Sequence, residues 1–148
     1  MSLGRLLQPL FVVFFLFISF NLTAQTADWA WAGGGAFSGR GGGYTTRVSP
    51  NGNVLVAGEF EGTMDLDPST ATYNITSNGS TDIFLACYTS AGVFLWGFNM
   101  GGFSQDAAFD MGIDAQGNVF LTGYFRGTID MDPSVNTANI YDNTTQTF

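Results

Sequence analysis

The chain repeats itself without a gap. Gly52-Asn53-Val54 returns 65 residues later as Gly117-Asn118-Val119, and the same offset carries Gly58 to Gly123, Phe60 to Phe125 and Gly62-Thr63 to Gly127-Thr128. It also carries Asp65, Asp67, Pro68 and Ser69 onto Asp130, Asp132, Pro133 and Ser134, Asn74-Ile75 onto Asn139-Ile140, and Trp31 onto Trp96. A fixed spacing over so many positions is the mark of a repeat architecture, in which each unit buries its apolar surface against its neighbours.

Within each unit the apolar pattern predicts short strands. Residues 44–48 and 109–113 precede Pro50-Asn51-Gly52-Asn53 and Ala115-Gln116-Gly117-Asn118, and Gly- and Asn-bearing turns between apolar runs favour hairpins. In the next strand, 54–60, Val54, Val56 and Phe60 share one face while Leu55 and Ala57 share the other. Its counterpart places Val119, Leu121 and Phe125 opposite Phe120 and Tyr124. With both faces apolar, these strands expect cover on both sides. Strands over 83–88 and 93–98, joined by Thr89-Ser90-Ala91-Gly92, complete the unit, and no segment after residue 25 carries a helical period. Four short strands per unit, apolar on both faces and in tandem, predict β-propeller blades; a β-solenoid is the runner-up, although its repeats are usually shorter.

The ordered motif resembles the SBBP β-propeller repeat. Its pieces are Gly101-Gly102, Asp106, Asp114, Gly117-Asn118-Val119, Gly123-Tyr124-Phe125-Arg126-Gly127-Thr128 and Asp130-Met131-Asp132-Pro133, with Asp82-Ile83-Phe84 and Trp96 from the preceding unit. The resemblance runs from about Trp31 to the end. It implies a secreted or surface protein of bacteria, and it implies no activity. The first unit departs from the pattern at Ser49, where the second has Asp114, and at Gly41, where the second has Asp106. Cys87 stands where similar repeats often carry Lys. The sequence stops at Phe148, where a third strand of the second unit is due, so the expectation is an incomplete propeller, unless several copies assemble.

Before the repeat, Arg5 precedes an almost wholly apolar run from Leu6 to Leu22, followed by Thr23-Ala24-Gln25. A basic start, an apolar middle and a small-residue exit are the parts of a secretory signal peptide, with cleavage expected after Ala24. A retained anchor is the weaker reading, because a span needs about 20 apolar residues and Gln8 and Pro9 interrupt this run. Removing the signal leaves three Arg against 12 acidic residues, a charge of −9. That balance excludes the basic footprint of a nucleic-acid binder and disfavours anionic lipid surfaces. The domain expectation is a signal peptide over 1–24, a Gly-rich lead-in over 25–43, a first repeat over 44–98 and a second, truncated repeat over 99–148.

The repeated Asp-x-Asp-Pro is the first candidate for chemistry. In extended chain Asp65 and Asp67, like Asp130 and Asp132, present two carboxylates to one side, and hard oxygen donors suit Ca²⁺. Two carboxylates fall short of the 6–8 oxygens that ion takes, and a turn role, with Asp accepting local amides and Pro ending the strand, is favoured. Glu59 and Glu61 superficially match an acid–base pair, but their counterparts are Tyr124 and Arg126. The glycines at 33–35 and 39–43 lack the Lys-Ser/Thr and the helix of a phosphate loop and read as connections. Cys87, the one cysteine in a chain without His, reads as a buried small hydrophobe rather than a nucleophile. Asn74, Asn78 and Asn143 open N-x-Ser/Thr sequences that read as polar turns. Trp29, Trp31 and Trp96 are candidates for stacking on sugars, but Trp31 and Trp96 are repeat positions, and packing between blades explains those two better.

The functional expectation is a secreted or cell-surface, non-catalytic scaffold that binds an extracellular protein or polysaccharide. It has no catalytic residues, no required cofactor, no nucleic-acid partner and no stable membrane insertion after signal removal. The alternative is the N-terminal part of a larger extracellular hydrolase or lyase whose catalytic residues lie outside this chain.

Overall fold

In the computed structural model, the residues that can be described are 38–134 and 136–142. The signal peptide, most of the lead-in, Trp29 and Trp31 therefore lie outside them, as does Asn143. Ten strands follow in order: β1 (Gly41–Val48), β2 (Val54–Phe60), β3 (Thr63–Asp65), β4 (Asn74–Thr76), β5 (Asp82–Tyr88), β6 (Phe94–Met100), β7 (Ala107–Ile113), β8 (Val119–Tyr124), β9 (Thr128–Asp130) and β10 (Asn139–Tyr141). No helix occurs among the described residues, so none is long and apolar enough to cross a membrane.

β1, β2, β5 and β6 form one antiparallel sheet in that order, a four-stranded blade. β7 and β8 pair as the first two strands of the next unit. The turns that reverse the chain are built alike. Gly52 and Gly117 both take the left-handed backbone, at φ 85° and 88°, where a side chain would be strained. Gly52 N–H donates to Ser49 O, and Gly117 N–H to Asp114 O. The Ser49-for-Asp114 departure leaves the turn intact, because the Ser49 hydroxyl bridges to Asn53 O while Asp114 accepts the amides of Gln116 and Asn118.

The backbone equivalence extends to an irregularity. Between Gly43 and Thr45 the ladder slips by one residue against Gly58 and Ala57, and between Ala108 and Asp110 it slips identically against Gly123 and Thr122. The bulge brings backbone into contact: a Cβ on Gly58 would lie 1.9 Å from Gly42 O, and one on Gly123 would lie 1.9 Å from Ala107 O. The same contact explains why β1 begins at Gly41 and not at residue 44. The glycines expected to be a connection are paired with Phe60, Glu59 and Gly58. Smaller adjustments move the starts of β5 to Asp82 and β7 to Ala107, and place β6 over Phe94–Met100.

β3–β4 and β9–β10 were not foreseen. Each is a two-stranded hairpin inserted after the second strand of its unit, with only three residues per strand. Tyr88 Oη donates to Leu66 O at 2.9 Å, and Tyr73 meets Phe94 at 4.8 Å between ring centroids, so the first insert lies along the face of the blade.

Both faces of the central strands β2 and β5 are covered, as the apolar pattern requires. One face packs Phe60, Phe84 and Ala86 with Met64, Leu66 and Ile75 of its own insert. The other packs Leu55, Ala57, Ile83, Leu85 and Cys87 with Ala108, Met111 and Ile129 of the second unit. Ile129 is the counterpart of Met64, so the second insert fills the space between its own unit and the blade before it, while the first covers the opposite face of that blade. Burying an aromatic such as Phe60, fully inaccessible here, contributes about 1.5–3 kcal/mol.

Candidate functional site

The repeated Asp side chains are turn builders. Asp65 Oδ1 accepts the amides of Asp67 (3.0 Å) and Tyr73 (2.8 Å), and Asp130 Oδ1 accepts those of Asp132 (3.0 Å) and Ala138 (2.8 Å). Asp67 Oδ1 then accepts Ser69 N–H and Asp132 Oδ1 accepts Ser134 N–H, which with the Ser134 hydroxyl holds the Asp132 carboxyl below the usual range. One oxygen of each of these carboxylates is thereby engaged by backbone amides of its own loop. Among the described residues no group of three or more His, Cys, Asp or Glu side chains is placed to hold a metal.

The other acidic candidates are also engaged. Tyr44 Oη donates to Glu59 Oε1 at 2.9 Å, which raises the phenol, and Glu61 pairs with Arg40 at 3.0 Å on an open surface. Nothing makes Glu59 and Glu61 flank a common cleft. Cys87 is buried, and burial raises its thiol, as a small hydrophobe requires.

Two acids that sequence reasoning left unassigned sit at the blade junction. Asp82 and Asp106 are both inaccessible to solvent. Asp82 Oδ2 accepts the Asn78 amide and the Asn99 side chain, while its Oδ1 has no partner; burial pushes it up to about 6. Asp106 accepts the amides of Gly102 and Arg126, and burial raises it as well. The first unit, with Gly41 at this position, replaces the second of these bonds by Glu61 N–H donating to Arg40 O.

Between the units, at the end of the blade carrying the tight turns, lies a groove of about 310 Å³. Its floor is Leu55, Cys87 and Val119, and its rim is made by Asn51 and Asn53 from one turn and Gln116 from the equivalent turn of the next unit. Trp96 lines it and is 41% exposed. Trp96 pairs with Cys87 and shares with it the face of the blade turned toward the second unit. It lies on β6, the outer strand, where its ring stacks on Phe98 at 5.9 Å and 8° and leaves a large part open. No single motif marks the groove, because stacking of the units brings its walls together.

No family model matches the chain, and no solved structure matches it. Among curated proteins it is similar to an uncharacterised WD repeat-containing protein of Acanthamoeba polyphaga mimivirus, 30% identical over 118 residues. The match takes in 70% of this chain and 8% of that protein, so the chain spans a small part of its relative. WD-type units are about 40–45 residues long with four strands per blade. Taking residues 61–81, the insert, out of the 65-residue period leaves a unit of that size. The Gly-His half of the WD signature is absent, since the chain has no His. The blade architecture and this likeness together identify a repeat-built, all-β protein of propeller type.

Proposed function

We propose that this chain is part of an exported, non-catalytic propeller of the SBBP-repeat kind, a bacterial secreted or surface protein that binds an extracellular protein or polysaccharide. The reading rests on where the recurring carboxylates go. Asp65, Asp67, Asp130 and Asp132 accept backbone amides within their own loops, which supports a scaffold role over that of a reacting pair. Export is supported by the basic, apolar and small-residue succession before Gln25.

The test is expression of the full 148-residue chain in a bacterial host, followed by incubation with suspended polysaccharides and with extracellular protein extract. The expected result is a mature N-terminus at Gln25, retention on one of these materials and no release of reducing ends or peptides. Cytoplasmic retention with Met1 intact would refute export, and product release would refute the non-catalytic reading.

A further inference from the structure

The connection from β6 to β7 runs between two acids. Asp82 and Asp106 have no surface open to solvent, and each holds one of the two successive glycines that follow β6. The Asp82 carboxyl lies against Gly101, where a Cβ would fall 2.2 Å from its Cγ, and the Gly102 amide donates to Asp106 Oδ2 at 2.8 Å. The Asn78 side chain donates to Gly101 O at 3.2 Å and the Asp106 amide to Thr81 O at 2.8 Å, so the loop before β5 is tied to the same connection. All these groups lie among the described residues, and a further blade adds to their burial and removes none.

The junction is poorly equipped for two full negative charges. Asp82 Oδ1 accepts no hydrogen bond, and the buried Thr81 hydroxyl, its neighbour in sequence, has no partner either. Arg126 gives Asp106 its backbone amide, while its guanidinium lies over the Tyr124 ring, 5.8 Å from the centroid. Asn99 of β6 donates to Asp82 Oδ2, and Thr128, Asp130 and Asn139 of β9 and β10 line the outer side of the connection. The side chains that face it are therefore neutral or acidic. Burial first, and then the charge of Asp106, oppose ionisation of Asp82. An unpaired carboxylate in a dry site is costly, and it is relieved either by a proton or by water. A proton leaves the carboxyl packed on Gly101. Water reaches it when the connection lifts away.

We propose that residues 101–106 form a proton-controlled latch between consecutive units: protonated Asp82 keeps the connection closed, and its ionisation lets residues 77–81 and 101–106 open while the sheet of β1, β2, β5 and β6 stays folded. Asp82 titrates at about 6 with the latch closed and at 3.8 once in water, so opening releases a proton between those values. Opening therefore becomes about tenfold more favourable for each pH unit from about 4 to 6, and levels off above 6. Asp106, also raised by burial, steepens the same slope. The two units are clamped in mild acid and loosened at neutral pH.

The test is amide hydrogen exchange of the full chain from pH 4 to pH 8, corrected for the intrinsic rate at each pH. Protection at Gly102 and Asp106, whose amides are bonded within the junction, is expected to fall about a hundredfold between pH 4 and pH 7, while Leu85 and Ala86 in β5 stay more protected throughout. Asp82→Asn should remove most of this fall, and Asp106→Asn should move it to lower pH, because a like charge is lost. Carbon-13 titration of the Asp82 carboxyl in the parent protein, with a midpoint near 6, is the independent readout if Asp82→Asn does not fold. Protection that does not change with pH overturns the inference, as does an unaltered fall in folded Asp82→Asn or an Asp82 midpoint near 3.8. Exchange of Gly102 and Asp106 at the rate of Leu85 and Ala86 at every pH also overturns it, since the junction then opens only with the whole blade.

Discussion

Thr45 Oγ1 donates a hydrogen bond of 3.2 Å to Asp110 Oδ1, and these two residues occupy the same position in consecutive repeats. Their neighbours Tyr44 and Phe109 are likewise one period apart, and their rings lie 6.3 Å from each other. Equivalent positions touch because β1 and β7, the first strand of each unit, run side by side. That is the arrangement of innermost strands around a propeller axis. Arg47 adds an ion pair to Asp110, and the Met111 amide and Thr45 hydroxyl, with Arg47, hold that carboxyl below the usual range.

Acidification should first strengthen the fold. Asp82 titrates at about 6 in the folded protein against 3.8 when unfolded, so the folded state binds the extra proton in that window. Stability therefore rises as pH falls from above 6 toward 4, the reverse of an ion-paired acid. Burial raises Asp82 most, with the charge of Asp106 adding to it, and Asp106 is itself raised by burial and acts in the same sense. Below this window the lowered carboxyls of Asp110, Asp114 and Asp132 reverse the trend. Thermal melts from pH 4 to pH 8 should show a maximum on the acid side, and Asp82→Asn should flatten the limb above it. A melting temperature that climbs steadily toward pH 8 would contradict this.

Two glycine substitutions should differ sharply. Gly58→Ala sets a methyl 1.9 Å from Gly42 O, a backbone atom that cannot step aside, and should cost at least about 1–3 kcal/mol. Gly112→Ala meets nothing within 4 Å in a strand of ordinary backbone and should be neutral or slightly stabilising. Chemical denaturation of both variants checks the contrast.

The buried face of the first blade and the connection after it can be contrasted by large-to-small changes. Phe60→Ala, at a side chain with no exposed surface, should lose about 3–5 kcal/mol. Phe103→Ala, at a position 90% exposed, should stay within about 0.5 kcal/mol of the parent. Equal losses in urea melts would show that the burial is misassigned.

Removal of Asp65 should act through backbone, not through a metal. Asp65→Ala leaves the Asp67 and Tyr73 amides without their acceptor and should destabilise by about 1–2 kcal/mol. Melts of the parent protein in Ca²⁺ and in chelator should superimpose. A calcium-dependent rise in melting temperature that Asp65→Ala abolishes would reverse the assignment.

Much of the blade was legible in the residues. The period fixed which turns are equivalent, and the two-sided apolar pattern of Val54–Phe60 required the cover that Met111 and Ile129 supply on one side and Met64 on the other. The inserts were not legible, because Thr63–Asp65 and Asn74–Thr76 are too short and too polar to carry a strand period. Their Asp-x-Asp-Pro chemistry was readable as turn hydrogen bonding, since the donors lie within eight residues of each acceptor. The groove was hidden for a different reason. Asn51 and Gln116 are turn residues of ordinary kind, and only the packing of one unit on the next sets them around Trp96.

Ile129 belongs by sequence to the second unit but completes the apolar interior beside Ile83, Leu85 and Met100 of the first. The covalent period and the cooperative melting domain are consequently out of phase. A scission between Met100 and Ala107, where the repeat divides, cuts through a shared interior and should loosen both fragments, whereas inserting or deleting a whole period restores the same contacts. Length variation in proteins built this way is thereby confined to integral steps.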